Sequence, residues 1–406
     1  MDIIQPEKVG FSSERLNRLI PLMQTYVAGE KVPGLLISIA RRGKIAFQAA
    51  CGVVDIATQQ PMPLDGIFRL ASQTKPITAV AAMILYEHEK LKLSDPLATY
   101  LPEFAHVKVC VGVVDGQLKL VDPKRLITIE DLLTFQSGIS PMSGSYPIAP
   151  ELQALYDQAG LDDPNDNLET LVGKIAKLPL CDQPGQAWYY GDSFEVLARV
   201  IEVVAGMPYA EFLQQQIFAP LGMEDTGYFI PPEKADRLVR GYTVTESGML
   251  EDLGEKDRSE RLKPRRLTAG GAGLLSTALD YQRFAQMLAN GGQLEGRRIL
   301  GRKTIEFMTA NRLRTDQLPF WPFPDTSMAG YGYGLGVRVL MDTAQLGIPA
   351  SVGEFGWSGW FNTGIWIDPK EQLSGVLMAQ VAPPQAFFPH IPPLEVRRIV
   401  YQAIDD

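Results

Sequence analysis

Residues 68–87 read FRLASQTKPITAVAAMILYE. Within this stretch Ser72 and Lys75 stand three residues apart, and Pro76 opens a long apolar run. Residues three apart on a helix share a face, so the Ser72 hydroxyl and the Lys75 amine meet on one turn. A lysine so placed can take the serine's proton without a histidine, which makes a nucleophile with an in-built base. Pro76 suits a first helical turn, where the missing N–H would have had no partner. Residues 77–90 then have the composition of a buried helix. Ser72 falls at or near the helix start, where outward-pointing N–H groups favour developing negative charge. Residues 67–70 read as a short extended run leading into it. Four residues are too few to decide a function, so the surroundings matter.

Working outward, residues 12–26 have an amphipathic helical pattern, with Ser13 as cap and Leu16, Leu19, Ile20 and Met23 at helical spacing. Pro33-Gly34 ends it. Residues 35–40 and 44–49 read as strands joined through Arg41-Arg42-Gly43, a hairpin. Beyond the motif the pattern is mainly helical to about residue 310. Residues 128–135 open with a capping threonine and first-turn acids, residues 194–205 stop at Gly206, and residues 279–290 close on Gly291-Gly292. Near residue 331 the pattern changes. Residues 333–340, 363–368 and 373–380 are rich in strand formers, Pro369-Lys370-Glu371 is a turn, and residues 394–404 form a last helix. The expected fold class is α/β. Strands from both chain ends complete one antiparallel sheet flanked by helices, with a large, mostly helical insertion. The expected domains are residues 1–70 with 325–406 for the sheet and residues 71–324 for the helical part, with the active site between them.

The bulk composition narrows the function classes. A hydrophobic content of 46% and a charged content of 21% describe an ordinary globular chain with a large core. The net charge is -9 and no basic block occurs, so neither nucleic acid nor an anionic membrane is an expected partner. The N-terminus lacks the basic start and apolar run of a signal peptide. Cys51, Cys110 and Cys181 are odd in number and far apart, which suits a reducing compartment, and the expected location is cytoplasmic. His88, His106 and His390 show no ligand spacing, so no metal is expected. Gly330, Gly332, Gly334 and Gly336 alternate as in a tightly packed strand rather than a phosphate cradle, and no cofactor is expected. Gly356-Trp357-Ser358-Gly359-Trp360 fails the nucleophile-elbow pattern at its last position. The Pro/aromatic stretches at 319–324 and 383–393 are expected to be ordered loops.

Three elements occur in order: Ser72-Gln73-Thr74-Lys75, Tyr190-Gly191-Asp192 and Trp357-Ser358-Gly359. They sit among the phrases PGLLISIARRGK, ITIEDLLTFQSGI, PGQAWYYGDSFEVLARVIEVVAG and IWIDPKEQLSGVLMAQ. In these the chain resembles the serine β-lactamase-like superfamily, and within it the class C β-lactamase and family VIII carboxylesterase branch. The resemblance runs over nearly the whole chain. It implies that Ser72 attacks an acyl carbonyl and forms an acyl-enzyme, while Lys75 and Tyr190 take and return its proton. It implies an oxyanion hole from the backbone N–H groups of Ser72 and Trp360. It favours Tyr190 over the adjacent Tyr189, because the tyrosine belongs two residues before the polar position 192.

Two departures from the family pattern carry information. Asp192 stands where an asparagine is usual. A carboxylate beside Lys75 would favour the ammonium and leave Tyr190 as the base. Trp357 stands where a lysine or histidine usually meets a substrate carboxylate. It offers bulk, a π face and one N–H donor instead, which points to neutral acyl groups. The resemblance therefore implies a serine carboxylesterase acting on a small-molecule ester. The alternatives are an acyltransferase to an alcohol or amine, a weak β-lactamase, and a non-catalytic binding protein on the same fold. Expected substrate-binding residues are Asp192, Trp357, Ser358, Gly359 and Trp360. Trp366, Phe320, Trp321, Phe323, Phe387 and Phe388 are further candidates for an apolar pocket with Trp360.

Overall fold

The computed structural model describes residues 1–142, 145–320, 328–382 and 392–406. Its main sheet has eight strands: β1 (Gly34–Arg41), β2 (Lys44–Asp55), β3 (Gln60–Pro61), β4 (Tyr331–Tyr333), β5 (Arg338–Leu340), β6 (Phe355–Gly359), β7 (Thr363–Asp368) and β8 (Leu373–Met378). The spatial order is β4-β5-β6-β7-β8-β1-β2-β3, and every neighbouring pair is antiparallel. Strands from the two chain ends meet where β1 lies on β8, with Leu36 opposite Met378. Arg42 and Gly43 turn β1 into β2 with φ of 52° and 80°, the left-handed pair that a tight hairpin of twisted strands requires. β1, β7 and β8 are buried at every position. Strands covered on both faces read as continuous apolar runs rather than alternations, which is why GLLISIAR announces itself so plainly.

Two apolar layers cover the sheet. On one face α1 (Ser13–Leu16) and α2 (Leu19–Ala28) pack Leu16, Leu19 and Met23 with Trp366, Leu373 and Leu377. The other layer joins α3 (Thr74–Glu87), α4 (Ile129–Leu133), α5 (Ser193–Ala205) and α6 (Ala278–Ala289) in one cluster with Leu36, Ile365 and Val376. The last helix, α7 (Leu394–Gln402), adds Val396 and Val400 to the first layer. Thr128 caps α4 in a reciprocal box with Asp131, and Gly206 ends α5 at a φ of 66°.

Several expectations change. Residues 12–26 form two helices, not one. Pro21 has no N–H to return to the Asn17 carbonyl, which accepts from the Ile20 N–H instead at 3.1 Å, and the helix breaks there. The cap is Ser12, whose hydroxyl accepts from the Arg15 N–H, rather than Ser13. Residues 333–340 are not a single strand: the chain turns between β4 and β5, with Gly336 at a φ of 80° and its N–H on the Leu133 carbonyl. The strand β6 was not anticipated, because FGWSG has neither β-branched residues nor alternation. The insertion also carries an antiparallel hairpin, Val109–Val114 with Gln117–Val121.

A buried ionic cluster ties α7 to the sheet. The Arg397 guanidinium pairs with Glu354, and both are almost fully buried. Glu354 also accepts from Tyr331 Oη at 2.9 Å and from Tyr401 Oη at 2.7 Å. Removing one partner leaves an uncompensated buried charge. Arg397→Met is therefore expected to lose about 3–5 kcal/mol of stability by chemical denaturation. Replacing Glu354 as well with a matching apolar residue should recover most of that loss.

Candidate active site

The turn that carries Ser72 is fixed from three directions. The strand Ile67–Arg69 pairs antiparallel with Leu275–Thr277, and the Leu70 N–H continues the pairing onto the Leu274 carbonyl at 2.9 Å. From the main sheet, Thr363 Oγ1 donates to the Leu70 carbonyl at 3.1 Å. Gly359 crosses the same carbonyl so closely that a Cβ there would stand 2.1 Å from its oxygen. Below the turn, the fully buried Gln73 points its amide oxygen at β7 and accepts the Gly364 and Ile365 N–H groups, both at 3.0 Å. The Gln73 carbonyl accepts from Tyr281 Oη at 2.6 Å. Between these anchors Ala71 takes a φ of 47°, a conformation that a non-glycine residue adopts at a cost. Residues 71–73 form a 3₁₀ turn that runs directly into α3.

This turn brings three groups onto one oxygen. Tyr190 Oη donates to Ser72 Oγ at 2.6 Å, and Lys75 Nζ donates to it at 3.2 Å. Lys75 Nζ also donates to the Gly271 carbonyl at 2.7 Å and sits 4.6 Å from the centroid of the Tyr190 ring. Lys75 is 5% exposed. The Tyr190 backbone is held by the Met142 N–H on its carbonyl and by its own N–H on Tyr146 Oη, both at 2.8 Å. Gly191 permits this, since a Cβ there would stand 2.1 Å from the Ser140 carbonyl oxygen. The Tyr190 ring leans on Phe135 and Trp357, with centroids at 4.8 and 5.9 Å. Its neighbour Tyr189 turns away and donates to Asp182 at 3.1 Å.

The other expected site residues distribute unevenly. Trp357 is 2% exposed and wedged between Tyr190 and Tyr333. It backs the phenol and presents no open face to a ligand, which corrects the expectation of a substrate-facing indole. Ser358 is half-buried, Gly359 clamps Leu70, and Trp360 is 49% exposed just beyond it. Trp366 lies in the layer with α1 and α2, on the far side of the sheet, and drops out of the pocket list. Along β7, Ile365 and Ile367 face the Ser72 side, so the period of two sends Trp366 the other way. Phe320 is buried against Trp188 and Tyr333. Trp321, Phe323, Phe387, Phe388 and His390 lie outside the described residues. His88 and His106 are exposed. Asp192 does not pair directly with Lys75: its Oδ2 accepts from Ser140 Oγ at 2.6 Å. Burial raises its pKa, opposed in part by the Ser140 hydrogen bond and the Lys75 charge.

Three residues were missed in the sequence. Gly271 supplies the carbonyl on Lys75, and its N–H donates to Glu195 Oε1 at 3.0 Å. Ser140 holds Asp192. Glu195 lies one turn after Asp192 on α5, a spacing visible in the sequence, and the Gly270-Gly271 pair was a signal of close backbone approach. Together with Lys75, Tyr190, Met142 and Leu161 these residues line a cleft of about 280 Å³. A larger cavity of about 430 Å³, around Tyr228 and Phe229, contains none of the residues that meet at Ser72.

The sequence profile of the beta-lactamase family matches residues 19–396. The chain belongs to the beta-lactamase family. Membership places it among the serine hydrolases of this superfamily, and relatives within it are esterases. Esterase EstB of Burkholderia gladioli is 30% identical over 382 residues, 90% of each chain. Lovastatin esterase of Penicillium rubens is 31% identical over 388 residues, covering 89% of this chain and 92% of its own. Among solved structures, "EstCE1, a hydrolase with promiscuous acyltransferase activity" superposes with a TM-score of 0.79 at 25% identity, over 97% of this chain and 99% of that one. Ser72 stands on the turn held between the main sheet and the strand Leu275–Thr277. Among the described residues no helix is long and apolar enough to cross a membrane.

The Gly359 clamp gives a test of how the turn is held. Gly359→Ala must push the Leu70 backbone, and an ångström-scale displacement of Ser72 is expected to lower kcat/KM on the order of tenfold to a hundredfold. Steady-state kinetics on a chromogenic ester, alongside a thermal melt showing a folded protein, checks it.

Proposed function

We propose that this chain hydrolyses carboxylic esters through an acyl-enzyme on Ser72. The observation that carries the reading is Ser72 Oγ, which accepts from both Tyr190 Oη and Lys75 Nζ beside a cleft. One of these donors must give up its proton before it can act as a base. With Lys75 as the ammonium, the phenolate of Tyr190 is the natural acceptor. Tyr190 then removes the Ser72 proton as Oγ attacks the ester carbon, and the carbonyl electron pair moves to oxygen. The N–H groups of Ser72 and Trp360 receive that oxyanion. Collapse expels the alcohol oxygen, which takes the proton back from Tyr190. Water then repeats the sequence on the acyl-serine and releases the acid.

Trp357 supports an ester rather than a β-lactam substrate. A buried indole fills the position from which a cation would meet a substrate carboxylate. The names of EstB and lovastatin esterase favour the same substrate class. A second reading, acyl transfer to an alcohol, is favoured by the description of EstCE1. It differs only in which nucleophile meets the acyl-serine.

Turnover of p-nitrophenyl acetate and butyrate by wild type and Ser72→Ala tests the reading. The variant is expected to lose on the order of a thousandfold or more, and a fluorophosphonate probe should label only wild type. Activity that survives Ser72→Ala removes Ser72 from the mechanism. Absence of both turnover and labelling in wild type favours a binding protein on this fold. Adding alcohols and measuring transesterified product separates transferase from hydrolase, and nitrocefin reads any β-lactamase activity. Asp192→Asn removes a negative charge near Lys75, so the ammonium should lose its proton more readily. The alkaline limb of the kcat profile should then move to lower pH, and an unmoved limb would show that Asp192 has no influence on the lysine.

A further inference from the structure

Glu195 has a place in this cleft that the mechanism above does not use. Its Oε1 accepts the Gly271 N–H, and the carbonyl of the same residue accepts from Lys75 Nζ. The neighbouring Gly270 carbonyl accepts from Thr78 Oγ1 at 2.6 Å, one turn after Lys75 on α3. The Gly270-Gly271 segment is thus a rigid bridge between the helix of the nucleophile and the helix of Glu195. Asp192 is the N-cap residue of α5, Glu195 follows three residues later in its first turn, and both line the same cleft.

Resting on the ester-hydrolase reading, we propose that Glu195 is a positioning residue for Lys75. Through Gly271 it fixes where the amine sits, and with Asp192 it sets the pH at which the Ser72–Lys75–Tyr190 group exchanges its proton. The groups that face Glu195 are few. Asp192 precedes it as the N-cap of α5, and Arg199 follows on the helix but is engaged by Glu202 and Glu169. Lys75 faces it from α3, and the phenols of Tyr209 and Tyr228 feel its charge from the neighbouring segments. Among the described residues lining the cleft, Lys75 is the one cation. Burial and the nearby Asp192 push the Glu195 carboxyl up to about 7, against the pull of Lys75 and of the Gly271 N–H. Near neutral pH this side chain therefore changes charge next to the catalytic group.

The sign follows from charge alone. An ionised Glu195 stabilises a proton on its neighbours, so a higher pH is needed to free the base. Glu195→Gln deletes the charge but keeps an oxygen that can accept the Gly271 N–H. In that variant the acid limb of kcat/KM for p-nitrophenyl butyrate is expected to move to lower pH by about half a unit to one unit. The plateau kcat should stay within about threefold of wild type. Glu195→Ala also loses the acceptor, and its kcat should fall at every pH. A merely structural Glu195 predicts instead that the Gln profile superimposes on wild type, and that result would overturn the proposal. Should Glu195→Gln fail to fold by circular dichroism, the equally uncharged Glu195→Ala carries the test through the position of its acid limb: a downward shift supports the proposal, and a fixed limb overturns it. Ser72→Ala in the same assay keeps the two readings apart. Its loss of turnover with an unmoved Gln profile sinks only the role of Glu195, whereas surviving turnover sinks the Ser72 mechanism itself.

Discussion

A serine oxygen that accepts from a lysine on its own helix and from a tyrosine 118 residues away requires a backbone that cannot drift. The Leu70 carbonyl is where that requirement is met. Gly359 and Thr363 close on it from the sheet, while Leu274 pairs with the same residue from the helical side. Ala71 pays for the sharp exit with a left-handed backbone, and the next residue is Ser72. Strain of this kind persists only where surrounding contacts over-determine the chain. Here they come from two segments far apart in sequence, residues 274–281 and 359–365, so sheet, helices and site stand or fall together.

Burying Lys75 is the second constraint. An ammonium taken from water needs compensating partners. It has the Gly271 carbonyl, Ser72 Oγ, and the face of the Tyr190 ring. None of these is a carboxylate, and among the described residues Lys75 forms no ion pair. A direct salt bridge would lock the amine as a spectator. The Glu195 carboxyl is held off on the N–H of Gly271, whose carbonyl takes Nζ, and leaves Nζ free to face Ser72.

Much of this was legible before any coordinates. The hairpin of β1 and β2, the helices α3, α5 and α6, and the last strands follow from continuous apolar runs and clear stop signals, which are local features. Ser72, Lys75 and Tyr190 were legible because order and spacing across three motifs matched a family. Other features were hidden for physical reasons. Pro21 splits a helix whose periodicity runs on past the break. FGWSG is short and carries two glycines and a serine, and it becomes β6 through antiparallel pairing with β5 and β7. Trp357 and Trp366 look alike in sequence, yet pairing register puts them on opposite faces of the sheet. Gly271, Ser140 and Glu195 act through backbone groups and second partners, which no single-residue pattern announces.

The departures from the family pattern point in one electrostatic direction. Where a cation would be usual, Trp357 is buried behind Tyr190. Where an amide would be usual, Asp192 is a carboxyl, and Glu195 adds another one turn later. Of the described residues lining the cleft, Lys75 is the only cation, whereas Asp157, Asp192 and Glu195 are acids. A substrate bearing its own carboxylate would enter beside these acids, where Lys75 is already turned to Ser72 and the Gly271 carbonyl. A neutral acyl group meets no such penalty.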